Sequence, residues 1–474
     1  MSLKSIIVAL VAFYFCSITS GAWSAQEADP PAPTGTAKAP EHKKTSRGAL
    51  PEDVPGLQQA AVEAYQQGNY QRFTQATMLL RKQRPFEPQY MIGMVAGAAR
   101  LGRQTTAYNY MHVMQQQGLS YDFNATPDTE SIRATEVYGY LNDLLIRAGR
   151  PAGMGQVAFT LAEAASYPEA IVWDPSRERL LIGTIDQGAI LAVTPDGKVK
   201  ELLRANADNG LWAVHGIAVD ADHDRLWVTS TGVPGFQGLQ PTDLGRGALF
   251  ELKLSSLTVV NRFDVPADGY PHLLGSLSVT PAGDVYVLDR AVPLIFRKAA
   301  ASTKLEPYLG NAQMVGFRDM ALSQDGARLY VADTALGILV VELASQALAK
   351  LSGPETLNLG GISGLWYDDG SLLMLQNGID PQRLMRLELD AGGTAVSQVS
   401  PIAVALESFA FPAFGAVAQG SVFYFAGSNI PGAHEGRVKP VVMRSPVVLK
   451  EEIPSVEGIK FREENLDKAE TDQQ

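Results

Sequence analysis

Residues Phe317 to Leu343 read FRDMALSQDGARLYVADTALGILVVEL, and the same grammar returns after roughly 45 residues all along the chain, which marks a repeat architecture. Met320-Ala321-Leu322 is a short apolar run, Gln324-Asp325-Gly326 is a tight-turn signal, and Leu329 to Ala332 is a second apolar run suited to a strand. Gly337 to Leu343 makes a third. The pattern recurs as PEAIVWDPSRERLLIGT from Pro168, VHGIAVDADHDRLWVTST from Val214, LGSLSVTPAGDVYVLDR from Leu274, ISGLWYDDGSLLMLQNG from Ile362 and FPAFGAVAQGSVFYFAGSN from Phe411.

The residues at the mouth of the six first strands are Glu169, His215, Gly275, Arg318, Ser363 and Pro412, at successive steps of 46, 60, 43, 45 and 49. The long step holds an insertion, Gly232 to Gly247. Six strand-turn-strand-strand units at this spacing predict a mainly β fold, a six-bladed β-propeller whose small sheets bury their faces against one another. A two-sheet sandwich would not be spaced so evenly. Closure should come from Val157 to Leu161 joining the sixth sheet alongside Val438 to Val448, because an unpaired edge is costly.

The chain has 474 residues, 46% of them hydrophobic, with 44 glycines and 28 prolines, so it is long enough for a turn-rich propeller and an accessory unit. A net charge of -11 argues against nucleic acid or an anionic membrane surface as partner, since both call for clustered Lys and Arg. Residues 1–24 carry Lys4, an apolar core from Ile6 to Ile18 and then Ser20, Gly21, Ala22 and Ser24, the pattern of a secretory signal peptide and too short to span a bilayer. The one cysteine, Cys16, lies inside it. The expected product is an exported, periplasmic or secreted protein without thiol chemistry and with no membrane association once the peptide is removed.

Residues 25–54 are rich in Pro, Ala and Lys without periodicity and read as a disordered linker. Residues 55–150 change to a helical pattern. Ala64, Gly68, Tyr70, Phe73, Leu80 and Pro85, followed by Ala99, Gly102, Ala107, Met111 and Met114, resemble a pair of tetratricopeptide repeats, with Gly68 and Gly102 34 residues apart. Thr129 to Ala148 reads as a further amphipathic helix, and the methionines at 91, 94, 111 and 114 as core. Two repeats leave an apolar face uncovered, so the helices should pack against the propeller or a partner. The propeller is expected over 155–448, and residues 449–474 as a disordered charged tail.

In a propeller the mouth loops converge, so the ligand-binding candidates are Glu169, His215, Arg318, Asp319 and Asn377, with Ser363 beside them. Glu169 beside Arg318 could form a neutralising ion pair, His215 could be a satisfied channel residue, and Asn377-Gly378 could be turn chemistry alone. No nucleophile elbow, zinc-protease motif, phosphate loop or Cys/His metal spacing occurs, so no catalytic residue is assigned.

Residues 167–429 resemble the gluconolactonase, regucalcin-like (senescence marker protein) propellers. Pro168 to Trp173 matches that family's opening Glu motif and Ala321 to Asp333 its repeat signature. The resemblance implies a divalent cation held by a Glu, an Asn and an Asp to polarise a lactone or phosphoester. Only Glu169 matches: Arg318-Asp319 stands where Asn-Gly is expected, and Ser363-Gly364 where Asp-Gly is. A hard cation needs several oxygen ligands, and Arg318 brings a fixed positive charge. The expectation is therefore a channel-mouth binding protein for a small molecule or protein partner, with no metal or cofactor. The alternative is a divergent hydrolase of the gluconolactonase type, which alone would need Ca2+ or another divalent ion.

Overall fold

A computed structural model describes residues 49–161, 167–310, 314–427 and 445–454. Six four-stranded antiparallel sheets follow one another. Their first strands are Pro168–Asp174, Ala213–Asp220, Leu274–Val279, Phe317–Leu322, Ile362–Asp368 and Ala413–Ala418, here the inner strands of blades 1 to 6. Each inner strand touches the next, and the sixth touches the first, so the ring closes into a six-bladed β-propeller around a central channel.

The repeat grammar has a local cause, visible in blade 4. Asp325 Oδ1 accepts from Ser323 Oγ at 2.6 Å and from the Ala327 amide at 3.0 Å, and Gly326 takes φ 69°, so the Gln-Asp-Gly turn is held by its own side chain. At the far end of the second strand Asp333 accepts from the amides of Val315, Ala335 and Leu336, each at 2.9 Å. Asp289 does the same in blade 3, accepting from Leu273 and Ala291. These buried aspartates tie the chain entering a blade to the chain leaving its second strand. Between the sheets, Trp227, Phe296, Phe317, Leu329 and Val331 form one continuous apolar layer across blades 2 to 4. Each such side chain contributes about 1.5–3 kcal/mol when fully buried.

Gln156–Thr160 pairs antiparallel with Val447–Glu452 and so completes blade 6 from the N-terminal side. The closing partner thus lies later than Val438 to Val448; of that stretch, residues 438–444 lie outside the described residues. The last sheet also runs past residue 448 to Glu452, because Leu449 is fully buried in the layer between blades 5 and 6 and its neighbours alternate around it. The expected leader and linker through residue 48 and the expected tail from residue 455 lie outside the described residues as well.

Five helices precede the propeller: α1 Val54–Gln66, α2 Tyr70–Gln83, α3 Pro88–Arg100, α4 Gln104–Gln116 and α5 Glu136–Ala148. The first starts at Val54, one residue before the expected boundary, because Asp53 caps it through the Gly56 amide. Val54 and Pro88 lie 34 positions apart, as do Tyr70 and Gln104, so α1–α2 and α3–α4 are copies of one hairpin. Met91, Met94, Met111 and Met114 are all buried in the helical core. The single helix expected over Thr129 to Ala148 is instead a 3-10 segment, Pro127–Ile132, followed by α5. Thr135 interrupts it by accepting the Tyr138 amide as an N-cap. Among the described residues no helix is long and apolar enough to cross a membrane.

The helices dock on the mouth end of blades 4 and 5. Arg383 Nη1 donates to the carbonyls of Gln117 and Gly118 at 2.9 and 3.4 Å, meeting orphan acceptors at the C-terminus of α4, where the helix dipole favours a cation. Gln117 in turn accepts from Asn358 at 3.0 Å and donates to the Glu355 carbonyl at 3.0 Å. Phe86 lies against Gly337 and Gly360, where a Cβ on Gly360 would stand 2.4 Å from the Phe86 carbonyl oxygen. The insertion in blade 2 is held on the same end of the propeller, since Gln237 donates its amide to the Asp186 carbonyl at 2.8 Å. In ring order, blade 2 stands opposite blade 5.

Candidate functional site

Every inner strand breaks register with its neighbour near its first residues. The extra residue is Glu169 in blade 1, His215 in blade 2, one of Gly275 and Ser276 in blade 3, Arg318 in blade 4, Ser363 in blade 5 and Phe414 in blade 6. A β-bulge re-aims a side chain away from the pleat. Here it happens six times at one level, which makes a ring of non-ladder residues around the channel. In blade 6 the position belongs to Phe414 rather than Pro412. The physical reason is the bulge itself: Ala413 pairs with Phe425 and Gly415 with Tyr424, so Phe414 is left over.

Glu169 is fully buried, and the ion pair with Arg318 that the sequence left open is not formed. Its carboxylate is taken by Arg290, whose Nη1 lies 3.1 Å from Oε1, and by His215 Nδ1 at Oε2. Burial would raise the Glu169 carboxyl, but the charges and hydrogen bonds of Arg290 and His215 more than offset it and hold the group down at about 2. Arg290 also places Nη2 3.4 Å from His215 Nδ1 and lies over the Phe414 ring, 5.9 Å from its centroid.

Arg290 is the residue that a reading of strand positions misses. It follows the second strand of blade 3, where the other blades carry no cation, and it reaches the channel because the inner strand beside it has glycine at the mouth. A Cβ on Gly275 would stand 2.9 Å from Arg290 Nε. The available signal was the pair itself: a Gly at the one mouth position without a side chain, and an Arg at the end of the strand hydrogen-bonded to it.

Arg318 projects into the channel in contact with solvent and, among the described residues, makes no hydrogen bond or ion pair. Burial within the body of the protein, then the neighbouring charge of Arg290, lower its affinity for the proton, while Glu169 opposes them. Asp319 points the other way along the strand. Its Oδ1 accepts from the Met320 amide and its Oδ2 from the Leu365 amide, both at 2.8 Å. Burial pushes its carboxyl up to about 6, against those hydrogen bonds, the adjacent Ser276 and the charge of Arg290. Ser363 donates to the Pro412 carbonyl at 2.9 Å, and Asn377 Nδ2 donates to the same oxygen at 3.0 Å. Asn377 is therefore spent on the loop between blades 5 and 6, and does not join the cluster of Glu169, His215, Arg290 and Arg318.

These residues do not fit a hard cation. The Glu169 oxygens already face a guanidinium and an imidazole, Arg318 adds a second fixed charge, and the Ser363 hydroxyl is engaged with a backbone oxygen. Among the described residues no three His, Cys, Asp or Glu side chains gather closely enough to hold a metal. A separate recess of about 500 Å3 on the helical unit, between α4 and α5, is lined by Tyr108, Val137, Tyr140 and their neighbours. Its walls are mostly apolar, and the convergent polar groups are in the channel instead.

A scan of family models and a search of curated proteins each find no match to this chain. Among solved structures it is similar to a luciferin-regenerating enzyme, at 12% identity over 64% of this chain and 95% of that one, with a TM-score of 0.43. It is also similar to the PQQ-bound aldose sugar dehydrogenase of Streptomyces coelicolor, at 16% identity, 64% and 99% coverage and a TM-score of 0.42. The virginiamycin B lyase of Staphylococcus aureus matches at 15% identity over 56% and 79%, with a TM-score of 0.40. At these scores the likenesses carry no argument about the site, and the ring of sheets described above is what defines this chain as a six-bladed propeller.

Proposed function

We propose that this chain is an exported binding protein that takes a small molecule at the mouth of the propeller channel, and that it descends from gluconolactonase-like, regucalcin-like propellers without keeping their metal chemistry. The observation that carries the reading is the neutralisation of Glu169 by Arg290 and His215 while Arg318 stands free beside them. A carboxylate already satisfied by two protein donors is a poor metal ligand, whereas an unpartnered guanidinium in a solvent-filled channel is a ready contact for a ligand. The leader-like residues 1–24 support export, and the tetratricopeptide-like helices, set on the mouth end, supply a wall of the ligand's approach or a face for a protein partner.

The test is lactone hydrolysis by the purified chain with added calcium, with zinc and with chelator, alongside a thermal-shift screen of small molecules. The expected result is no chelator-sensitive turnover and at least one stabilising compound. Robust turnover lost on Glu169→Gln would overturn the binding reading in favour of a divergent hydrolase.

A further inference from the structure

The channel cluster has a definite charge. Glu169 carries one negative charge, and Arg290 and Arg318 carry two fixed positive ones. The Asp319 carboxylate is turned onto the Met320 and Leu365 amides and so does not neutralise Arg318 as an ion pair. Three donor or acceptor positions in the cluster are unanswered. Arg318 has no partner among the described residues, Arg290 Nε is buried without one, and so is His215 Nε2 on a side chain only 2% exposed. Buried polar atoms are nearly always hydrogen-bonded, so unanswered ones gathered in one cluster point to a ligand.

We infer that the bulge layer of the channel binds a small oxyanion, a carboxylate or a phosphate, held on Arg318 with Arg290 and His215 beside it, and that Gly275 serves to admit Arg290 to the site. The inference rests on the small-molecule reading above and names the ligand's chemistry. Two guanidinium groups near one another repel, and among the described residues only one of them, Arg290, is paired directly with a carboxylate. An incoming anion compensates the other, with charge-assisted hydrogen bonds that are strong where water is limited. Gly275 is a positioning residue: a Cβ there would stand 2.9 Å from Arg290 Nε, so the Arg290 side chain would have to shift to admit it.

The experiment titrates the full chain with inorganic phosphate and with succinate, each against sodium chloride at equal ionic strength, by calorimetry and thermal shift. One or both oxyanions should bind and raise the melting temperature beyond the chloride control, as any ligand specific for the folded state does, and which one binds identifies the oxyanion. Arg318→Gln should weaken binding roughly tenfold to a hundredfold, the worth of a charged hydrogen bond, while raising the melting temperature of the ligand-free protein by relieving the repulsion. Arg318→Lys, which keeps the charge, should retain most of the binding. Gly275→Ala should weaken binding about tenfold or more. If Arg318→Gln fails to fold, Arg318→Lys against Gly275→Ala still separates charge from position. Equal behaviour of both oxyanions and chloride, or wild-type binding by Arg318→Gln, would overturn the inference. A neutral compound binding independently of Arg318 would overturn it too and leave the binding reading standing, whereas chelator-sensitive turnover removes the reading itself.

Discussion

Arg383, on the third strand of blade 5, donates to the Gln117 carbonyl at the end of α4 across 2.9 Å, and this contact fixes where the helical unit sits on the propeller. Among the described residues no carboxylate answers the guanidinium, and burial pulls its pKa down to about 10. It is held by carbonyls and by Gln376 Oε1 at 2.7 Å.

Replacing Arg383 with Met should therefore cost about 2–3 kcal/mol, because it leaves the Gln117 carbonyl and Gln376 Oε1 buried without donors. Denaturant melts should show the loss, and limited proteolysis should cut between residues 149 and 155 faster than in the parent. An unchanged melt and cleavage rate would mean that Arg383 does not hold the two units together.

Glu169→Gln preserves shape and removes the carboxylate that pairs with Arg290. Breaking a buried pair in this way destabilises by about 3–5 kcal/mol. The folded carboxyl is held at about 2, below its ordinary 4.5, so its contribution is present above pH 4.5 and is lost as pH falls towards 2. Stability of the parent, followed by urea melts, should thus fall towards that of the variant between pH 4.5 and 2. Parallel curves over that window would refute the pairing.

Asp319 predicts the opposite sign. Its folded carboxyl is raised to about 6 from 3.8, so the stability it contributes is complete below pH 3.8 and is lost as pH rises through 6. The Leu365 amide, which donates to this carboxylate, should report the titration by NMR with a midpoint near 6. A midpoint near 4 would place Asp319 in contact with bulk water instead.

Ring closure can be tested by covalent capture, since the chain has a single cysteine, Cys16, in the leader-like segment. Gln156 and Lys450 are paired across the closing ladder. Cysteines at both positions should form a disulfide on mild oxidation and raise the unfolding free energy by about 2–4 kcal/mol in favourable geometry. Two free thiols in the folded, oxidised protein would contradict this closure.

The blade count, the first three strands of a blade and five of the six mouth positions were legible in the sequence because they depend on local chemistry, whereas the fourth, outer strand of each sheet was not read. A turn such as Gln324-Asp325-Gly326 is held by its own side chain, and apolar runs of strand length pack wherever they are repeated. The five positions Glu169, His215, Gly275, Arg318 and Ser363 follow from that register, and each lies at a bulge. Phe414 escaped because the sixth unit's register is set by pairing with the strand Ser421–Phe425, and local pattern alone points to Pro412. The identity of the Glu169 partner was decided only by tertiary structure. Arg290 and Arg318 are equally cationic in sequence, and nothing in spacing says which one reaches the carboxylate. The space left by Gly275 decides it: Arg290 enters from the neighbouring strand and takes Glu169, and Arg318 is left facing the channel. The docking of the helices was likewise foreseen only as a need to cover an apolar face. Its location on blades 4 and 5 comes from Arg383 meeting the end of α4, a contact between residues more than 260 positions apart that no local pattern encodes.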